Sequence, residues 1–181
     1  MPTLPSLPDG AVLMDVFSAY PAGVQPLLEL HEALLRGPSP FSVAERELIA
    51  AYVSGLNDCS YCHGVHTATA EAFGLPAGLL EAALSDLDGS PVDERLKPVL
   101  RYVGKLTQSP ARITPADAEP VFAAGWTEQA LHDAIMVSAL FNLMNRMVDG
   151  HGIRADADYY PVSGQRLHDR GYTGLSDLLP H

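Results

Sequence analysis

The chain has 181 residues, 47% of them hydrophobic, which supplies one domain with a sizeable core and excludes a disordered protein. Lys and Arg number 11 against 22 Asp and Glu, a formal net charge of −11. A chain this acidic, with no basic run, is repelled by phosphate backbones and anionic lipid, so nucleic-acid and membrane-surface roles are disfavoured.

The opening residues, MPTLPSLPDGAVL, have neither a basic start nor an unbroken apolar run. The longest apolar stretch, 135–144, is interrupted by Ser138 and Asn142. The sequence therefore predicts no signal peptide, no membrane span and a cytoplasmic protein. Residues 1–10 hold three prolines and no periodicity, and read as an extended arm that can lie on a neighbouring subunit. From Ala11 to Leu35 the pattern is helical but interrupted by Pro21 and Pro26. GPSP (37–40) breaks the chain.

Ser42 then opens a helix with a capping box, its hydroxyl on the Glu45 amide and the Glu45 carboxylate reaching back. Leu48, Ile49, Tyr52, Val53 and Leu56 form its apolar face, and Gly55 and Asn57 end it. Asp58 is placed to cap a second helix that runs to about Phe73. A short helix over about 77–86 follows. Ser90-Pro91 reads as another start, although Pro98 demands a kink or a later beginning. Thr114 and Thr127 cap two more helices, which Gly125 and Gly150 close. No segment alternates with period two, so the predicted fold class is all-α. The expected organisation is an arm and leading helix over 1–20, an all-α domain over 21–155, and an irregular C-terminal tail over 156–181. That tail is expected to pack on the domain or on a neighbouring subunit.

Chemistry concentrates in Ser42–Phe73, which holds both cysteines of the chain, Cys59 and Cys62. At i and i+3 on a helix their Cα atoms are about 5 Å apart, within reach of a disulfide. A ring so small, closed on a helix start, is strained and easily reduced, which suits a bond that cycles. Thiols in a first helical turn face unpaired amides and the positive end of the dipole, which favour thiolate. His66 lies at i+4 from Cys62 and can take its proton. Glu47, from a preceding helix folded back antiparallel, can orient that imidazole. Tyr61, between the cysteines, can pass a proton through its hydroxyl.

Other chemistries fit the same cysteines. Cys59-Ser60-Tyr61-Cys62-His63 has the pattern of c-type haem attachment, which needs an exported chain. Zinc held by Cys59, Cys62 and His66 or His63 lacks a fourth ligand. An inert buried pair is a third reading. A non-enzymatic thiol redox sensor or zinc-binding module is thus the alternative to redox catalysis. Neither a cofactor nor a metal is called for. A second polar set, Asn142, Asn145, Arg146 and Asp149, shares one side of the last long helix and reads as a structural network with Arg146 paired to Asp149 or to another carboxylate. His31, His132 and His151 are given no role.

The stretch resembles the carboxymuconolactone decarboxylase/AhpD-like superfamily, in its alkylhydroperoxidase branch. The resemblance rests on a glutamate, eleven intervening residues, Cys-x-x-Cys and a histidine four residues on, here Glu47, Cys59, Cys62 and His66. KLTQSPARIT (105–114), AAGWTE (123–128) and FNLMNRMVDG (141–150) are similar to the branch of peroxidase-related enzymes. The resemblance implies an AhpD-like helical bundle, assembled as a dimer, trimer or hexamer. It implies hydroperoxide reduction through a sulfenic acid on Cys62, with Cys59 as proton donor and resolving thiol, and a dithiol reductant such as a lipoylated protein. Tyr61 stands where the best-known members carry histidine. Decarboxylase relatives lack the cysteine pair, which disfavours that activity here.

Overall fold

The computed structural model describes residues 1–179. Among these there is no strand, as the sequence predicts. The helices are α1 (Leu13–Ala19), α2 (Val24–Arg36), α3 (Val43–Leu56), α4 (Ser60–Ala72), α5 (Leu79–Ser85), α6 (Lys97–Gln108), α7 (Pro115–Ala123), α8 (Glu128–Gly150) and α9 (Tyr159–Arg170). Short 3-10 turns follow α6 and α9, at Pro110–Arg112 and Thr173–Leu178.

Helix α3 is the axis of the molecule. Every residue from Arg46 to Ser54 is buried, so no face of the helix is left for water. Helices α2, α4, α5, α6 and α8 surround it. Its start is the expected capping box, with the Ser42 Oγ accepting from the Glu45 amide at 3.2 Å and a Glu45 carboxylate oxygen 2.7 Å from the Ser42 amide. Arg46 is buried because it has work to do on α2: its Nη1 donates to the carbonyls of Leu34 (3.0 Å) and Gly37 (2.7 Å), which the end of that helix leaves unpaired.

The turn from α3 to α4 is three residues long. Asp58 takes the left-handed conformation (φ +55°), so it turns the chain and leaves Cys59 as the residue that precedes α4. Asp58 therefore does not cap the second helix by its side chain. The Cys59 amide donates to Ser54 O at 3.0 Å, and Cys59 O accepts from the His63 amide at 2.9 Å. The two sulfurs thus sit just before and within the first turn of α4.

Three expectations change. The start expected at Ser90-Pro91 falls later, at Lys97, with Pro98 in the first turn where its missing N–H costs nothing. The N-terminal arm stays on its own domain: Leu7 is buried and the Thr3 amide donates to His151 O at 2.9 Å. The tail over 156–181, expected to be irregular, holds α9, packed along α4; residues 180–181 lie outside the described residues. Two glycines make that packing possible. A Cβ on Gly64 would lie 2.7 Å from the Tyr160 ring, and one on Gly164 would lie 2.7 Å from the Ala68 backbone. Helices α4 and α9 meet at close to backbone contact.

His31, buried on α2, donates through Nδ1–H to Leu27 O (2.8 Å) and stacks near Tyr172 and Phe141. Burial holds its pKa down, to about 4 from an ordinary 6.5. The unfolded chain therefore binds this proton first, and the stability present above pH 6.5 is lost as pH falls towards 4. The loss is on the order of 3 kcal/mol. Urea unfolding across that window should show it, and His31→Gln should remove most of the slope.

Candidate active site

Glu47 is the most buried charge among the described residues, at 0% exposure, and three side chains converge on it. Its Oε1 accepts from Arg36 Nη1 (2.6 Å) and from the Tyr172 hydroxyl (2.8 Å). Its Oε2 lies 2.8 Å from His66 Nδ1. An ionised carboxylate can only accept, so the His66 proton sits on Nδ1 and Nε2 is the nitrogen left for chemistry. Burial pushes the Glu47 carboxyl up, but His66 and Arg36 together outweigh it and hold the group below its ordinary 4.5. Arg36 is itself held between the Phe73 and Tyr172 rings, 4.9 Å from each centroid, and donates to Leu167 O (3.2 Å). Burial and the neighbouring carboxylate push Tyr172 well up, so it stays a neutral donor.

The two cysteines are free thiols in contact with one another. Cys59 is wholly buried at 0%, while Cys62, at 3%, lines a cavity of about 60 Å³. The hydrogen bond from Cys62 holds the Cys59 thiol below its ordinary 9.0, against burial and the Asp149 carboxylate. The same contact and burial push Cys62 up, and the Asn145 amide partly offsets them. Of the two thiols, then, Cys59 is the more acidic, and Cys62, the accessible sulfur, holds its proton more tightly.

The cavity lies between α1, α2, α4, α8, α9 and the last 3-10 turn. Leu13, Phe17, Leu28, Val65 and Met144 form apolar walls, and His66 shares the lining with Cys62. One water needs about 10–15 Å³ of such space, so the cavity has room for several, or for the reactive end of a small organic molecule. Tyr61 also lines it, but its hydroxyl pairs with the Tyr159 hydroxyl (2.7 Å) and accepts from the Leu13 amide (3.4 Å). Tyr61 and the Glu47–His66 pair therefore occupy separate hydrogen-bond systems. His63, the other imidazole near the dithiol, faces Ala51 O at 2.9 Å. Among the described residues no three His, Cys, Asp or Glu side chains are grouped to hold a metal.

Residues 21–88 match the carboxymuconolactone decarboxylase family. The matched segment spans α2 to α5 and includes Glu47, Cys59, Cys62 and His66. No curated protein matches the sequence. Among solved structures, an uncharacterized peroxidase-related protein from Silicibacter sp. TM1040 is 26% identical over 82% of this chain and 78% of its own, with a TM-score of 0.75. The alkylhydroperoxidase AhpD core protein from Ralstonia eutropha JMP134, also an uncharacterized peroxidase-related protein, is 23% identical over 83% and 78%, with a TM-score of 0.75. A protein of unknown function from Agrobacterium tumefaciens, 18% identical over 78% and 95%, has a TM-score of 0.66. The last two show a shared fold. The AhpD-like bundle expected from the sequence is the one found.

Several residues of the site lie outside the family segment or escaped the sequence reading. Arg36 and Tyr172 complete the Glu47 cluster from α2 and from the C-terminal turn. The polar set on α8 does not form the expected Arg146–Asp149 pair. Arg146 donates to Asn142, and Asp149 pairs with Arg154 at 2.7 Å. Asn145 instead borders Cys62, bound to Ser54 and Asn57, and Asp149 borders Cys59. The i, i+4 spacing of Asn145 and Asp149 on an otherwise apolar helix was the signal available for this.

Glu47→Gln should be strongly destabilising, because it leaves Arg36 buried without its counter-charge, a loss of about 3–5 kcal/mol at pH 7. Tyr172→Phe, which removes one donor of three, should cost about 1 kcal/mol. The Glu47 contribution is present above its ordinary 4.5 and is lost as pH falls through the depressed folded value. Urea midpoints of the two variants against wild type, at pH 7 and at pH 3, measure both effects.

Proposed function

We propose that the protein is a cysteine peroxidase that reduces hydroperoxides through Cys62 and Cys59, with His66 and Glu47 handling the proton. The observation that carries this reading is the cavity wall shared by Cys62 and His66, with the far side of the imidazole anchored on a buried, ionised carboxylate. The solved relatives named peroxidase-related support the reaction class.

In this mechanism one proton of the dithiol moves to His66, whose positive charge Glu47 offsets across the 2.8 Å contact. The remaining proton, shared between the sulfurs, passes to Cys59 as Cys62 attacks. The Cys62 thiolate takes the terminal oxygen of ROOH, the O–O bond breaks, and the alkoxide leaves as ROH with the proton from His66. The sulfur, oxidised by two electrons, is now Cys62–SOH. Cys59–SH then displaces its oxygen as water and closes the disulfide. A dithiol reductant, such as a lipoyl group on a partner protein, returns both thiols and becomes a disulfide itself. The cavity's apolar walls keep bulk water from the charged sulfur and strengthen each of these interactions.

Tyr61 enters this reading as a neutral hydroxyl on the cavity wall paired with Tyr159, with no proton transfer of its own. The proposal includes action in the cytoplasm, where thiol reductants are abundant. It also includes a homo-oligomer, which would cover the apolar side chains of Leu143 and Val162, exposed by 52% and 60%. Among the described residues no helix is long and apolar enough to cross a membrane.

The test is peroxide consumption coupled to dihydrolipoamide or dithiothreitol. Wild type should turn over, and Cys62→Ser should lose activity by at least a thousandfold. Cys59→Ser should complete one turnover and then stall as a sulfenic acid that dimedone labels on Cys62. Labelling on Cys59 in Cys62→Ser, with turnover retained, would reverse the two roles. Stoichiometric zinc with no turnover would replace the enzyme by a binding module.

A further inference from the structure

The α9 side of the cavity has two polar groups with no partner among the described residues. Ser163 lines the cavity and is 5% exposed, and its buried Oγ has no hydrogen-bond partner among the described residues. Arg166 is half-buried three residues further along the same helix, which puts both side chains on one face. It is the one guanidinium or ammonium among the residues that line the cavity. It also lines an open groove beside Pro161, Val162 and Gln165, so it stands where the cavity meets the surface.

Among the described residues Arg166 has neither an ion pair nor a hydrogen bond, although the chain carries 22 Asp and Glu against 11 Lys and Arg. Asp169, the carboxylate in the same groove, is taken up by Gln165 and His168, each 2.8 Å from its Oδ1. In so acidic a protein, a half-buried guanidinium left unpaired at the mouth of an apolar cavity is out of keeping with its surroundings unless its counter-ion arrives from outside. A buried hydroxyl behind it, with no partner of its own, supplies a second donor to the same visitor.

We propose that Arg166 and Ser163 form a carboxylate-binding subsite, so that the preferred substrates are small organic hydroperoxides carrying a carboxylate. This rests on the peroxidase reading for the word hydroperoxide, but not for the subsite. The carboxylate pairs with Arg166 at the mouth, where partial exclusion of water strengthens the bond. Ser163 Oγ–H donates to the same group or to the first polar atom behind it. The apolar walls take the carbon chain, and the peroxy end lies at Cys62 and His66. The subsite also offsets the protein's net negative charge, which otherwise repels an anionic substrate.

Two small alkylating probes read the subsite without any peroxide chemistry. Iodoacetate and iodoacetamide differ only in charge at the end remote from the reacting carbon. Each is attacked by the Cys62 thiolate, with a C–S bond formed and iodide released. Their rates at Cys62 are measured by peptide mapping of the reduced full-length protein. Arg166→Gln should lower the iodoacetate-to-iodoacetamide rate ratio about tenfold, as expected for one lost charge-assisted hydrogen bond. Arg166→Lys should restore most of it, and Ser163→Ala should lower it two- to threefold. In parallel, the kcat/KM ratio of a tertiary hydroperoxide bearing a terminal carboxylate over tert-butyl hydroperoxide should fall about tenfold in Arg166→Gln. Ratios that change by less than twofold in Arg166→Gln overturn the subsite, even if both peroxides are reduced. A change in oligomer mass in Arg166→Gln with unchanged ratios also overturns it, and assigns the guanidinium to a contact between subunits. A shifted alkylation ratio with no turnover of either peroxide supports the subsite and removes the peroxidase reading instead.

Discussion

A single buried carboxylate ties this fold together. Glu47, at the middle of the central helix, accepts from Arg36 on α2, from His66 on α4 and from Tyr172 beyond α9. Three segments far apart in sequence are thereby fixed to one point of α3, and each interaction is a hydrogen bond to a charged group, the strong kind. An ion of this sort gains nothing over a well-packed hydrocarbon, since removing it from water cancels much of the attraction. Its presence in the core is better understood through what it orients than through stability. It fixes the tautomer of His66, and so chooses which nitrogen is left for the cavity.

The dithiol depends on that arrangement and on the turn before it. The left-handed Asp58 reverses the chain within three residues, so α4 runs back along α3 and brings His66 level with Glu47. The same turn puts Cys59 just ahead of the helix and Cys62 within its first turn. Access and acidity then fall on different sulfurs. Cys59 receives the hydrogen bond that makes it the more acidic thiol; Cys62 has the cavity. In the proposed mechanism a proton held between them resolves the conflict, because a short shift towards Cys59 would deliver the thiolate to the sulfur that a peroxide can reach. Asn145 and Asp149 on α8 border the pair from the other side and act on that balance in the same direction: the amide favours the Cys62 thiolate, and the carboxylate opposes charge on Cys59.

Much of this was legible in the residues. Capping signals at Ser42, Thr114 and Thr127 located three helix starts, because caps are local chemistry. Helical spacing put Cys59, Cys62 and His66 on one stretch, and a tight turn implied that Glu47 would fold onto them. What the sequence hid was long-range or contrary to local preference. Helix α9 contains Pro161, Ser163 and Gly164, residues that argue for a loop; Pro161 is tolerated in the first turn, and Gly164 is required by the close approach to α4. With α9 read as irregular, nothing could place Tyr172, Ser163 or Arg166 near the thiols. Nothing in the local sequence marks Arg36, at the end of α2, and only the folded chain turns it inward onto Glu47.

The account stands or falls on the proton between Glu47 and His66. The direct measurement is ¹⁵N NMR of the His66 ring at neutral pH, in the reduced and the disulfide forms. Nδ1 should carry a proton in both forms, bonded towards an ionised Glu47, while Nε2 changes its protonation when the dithiol is oxidised. A His66 ring with Nδ1 unprotonated, or one indifferent to the state of the sulfurs, would contradict it.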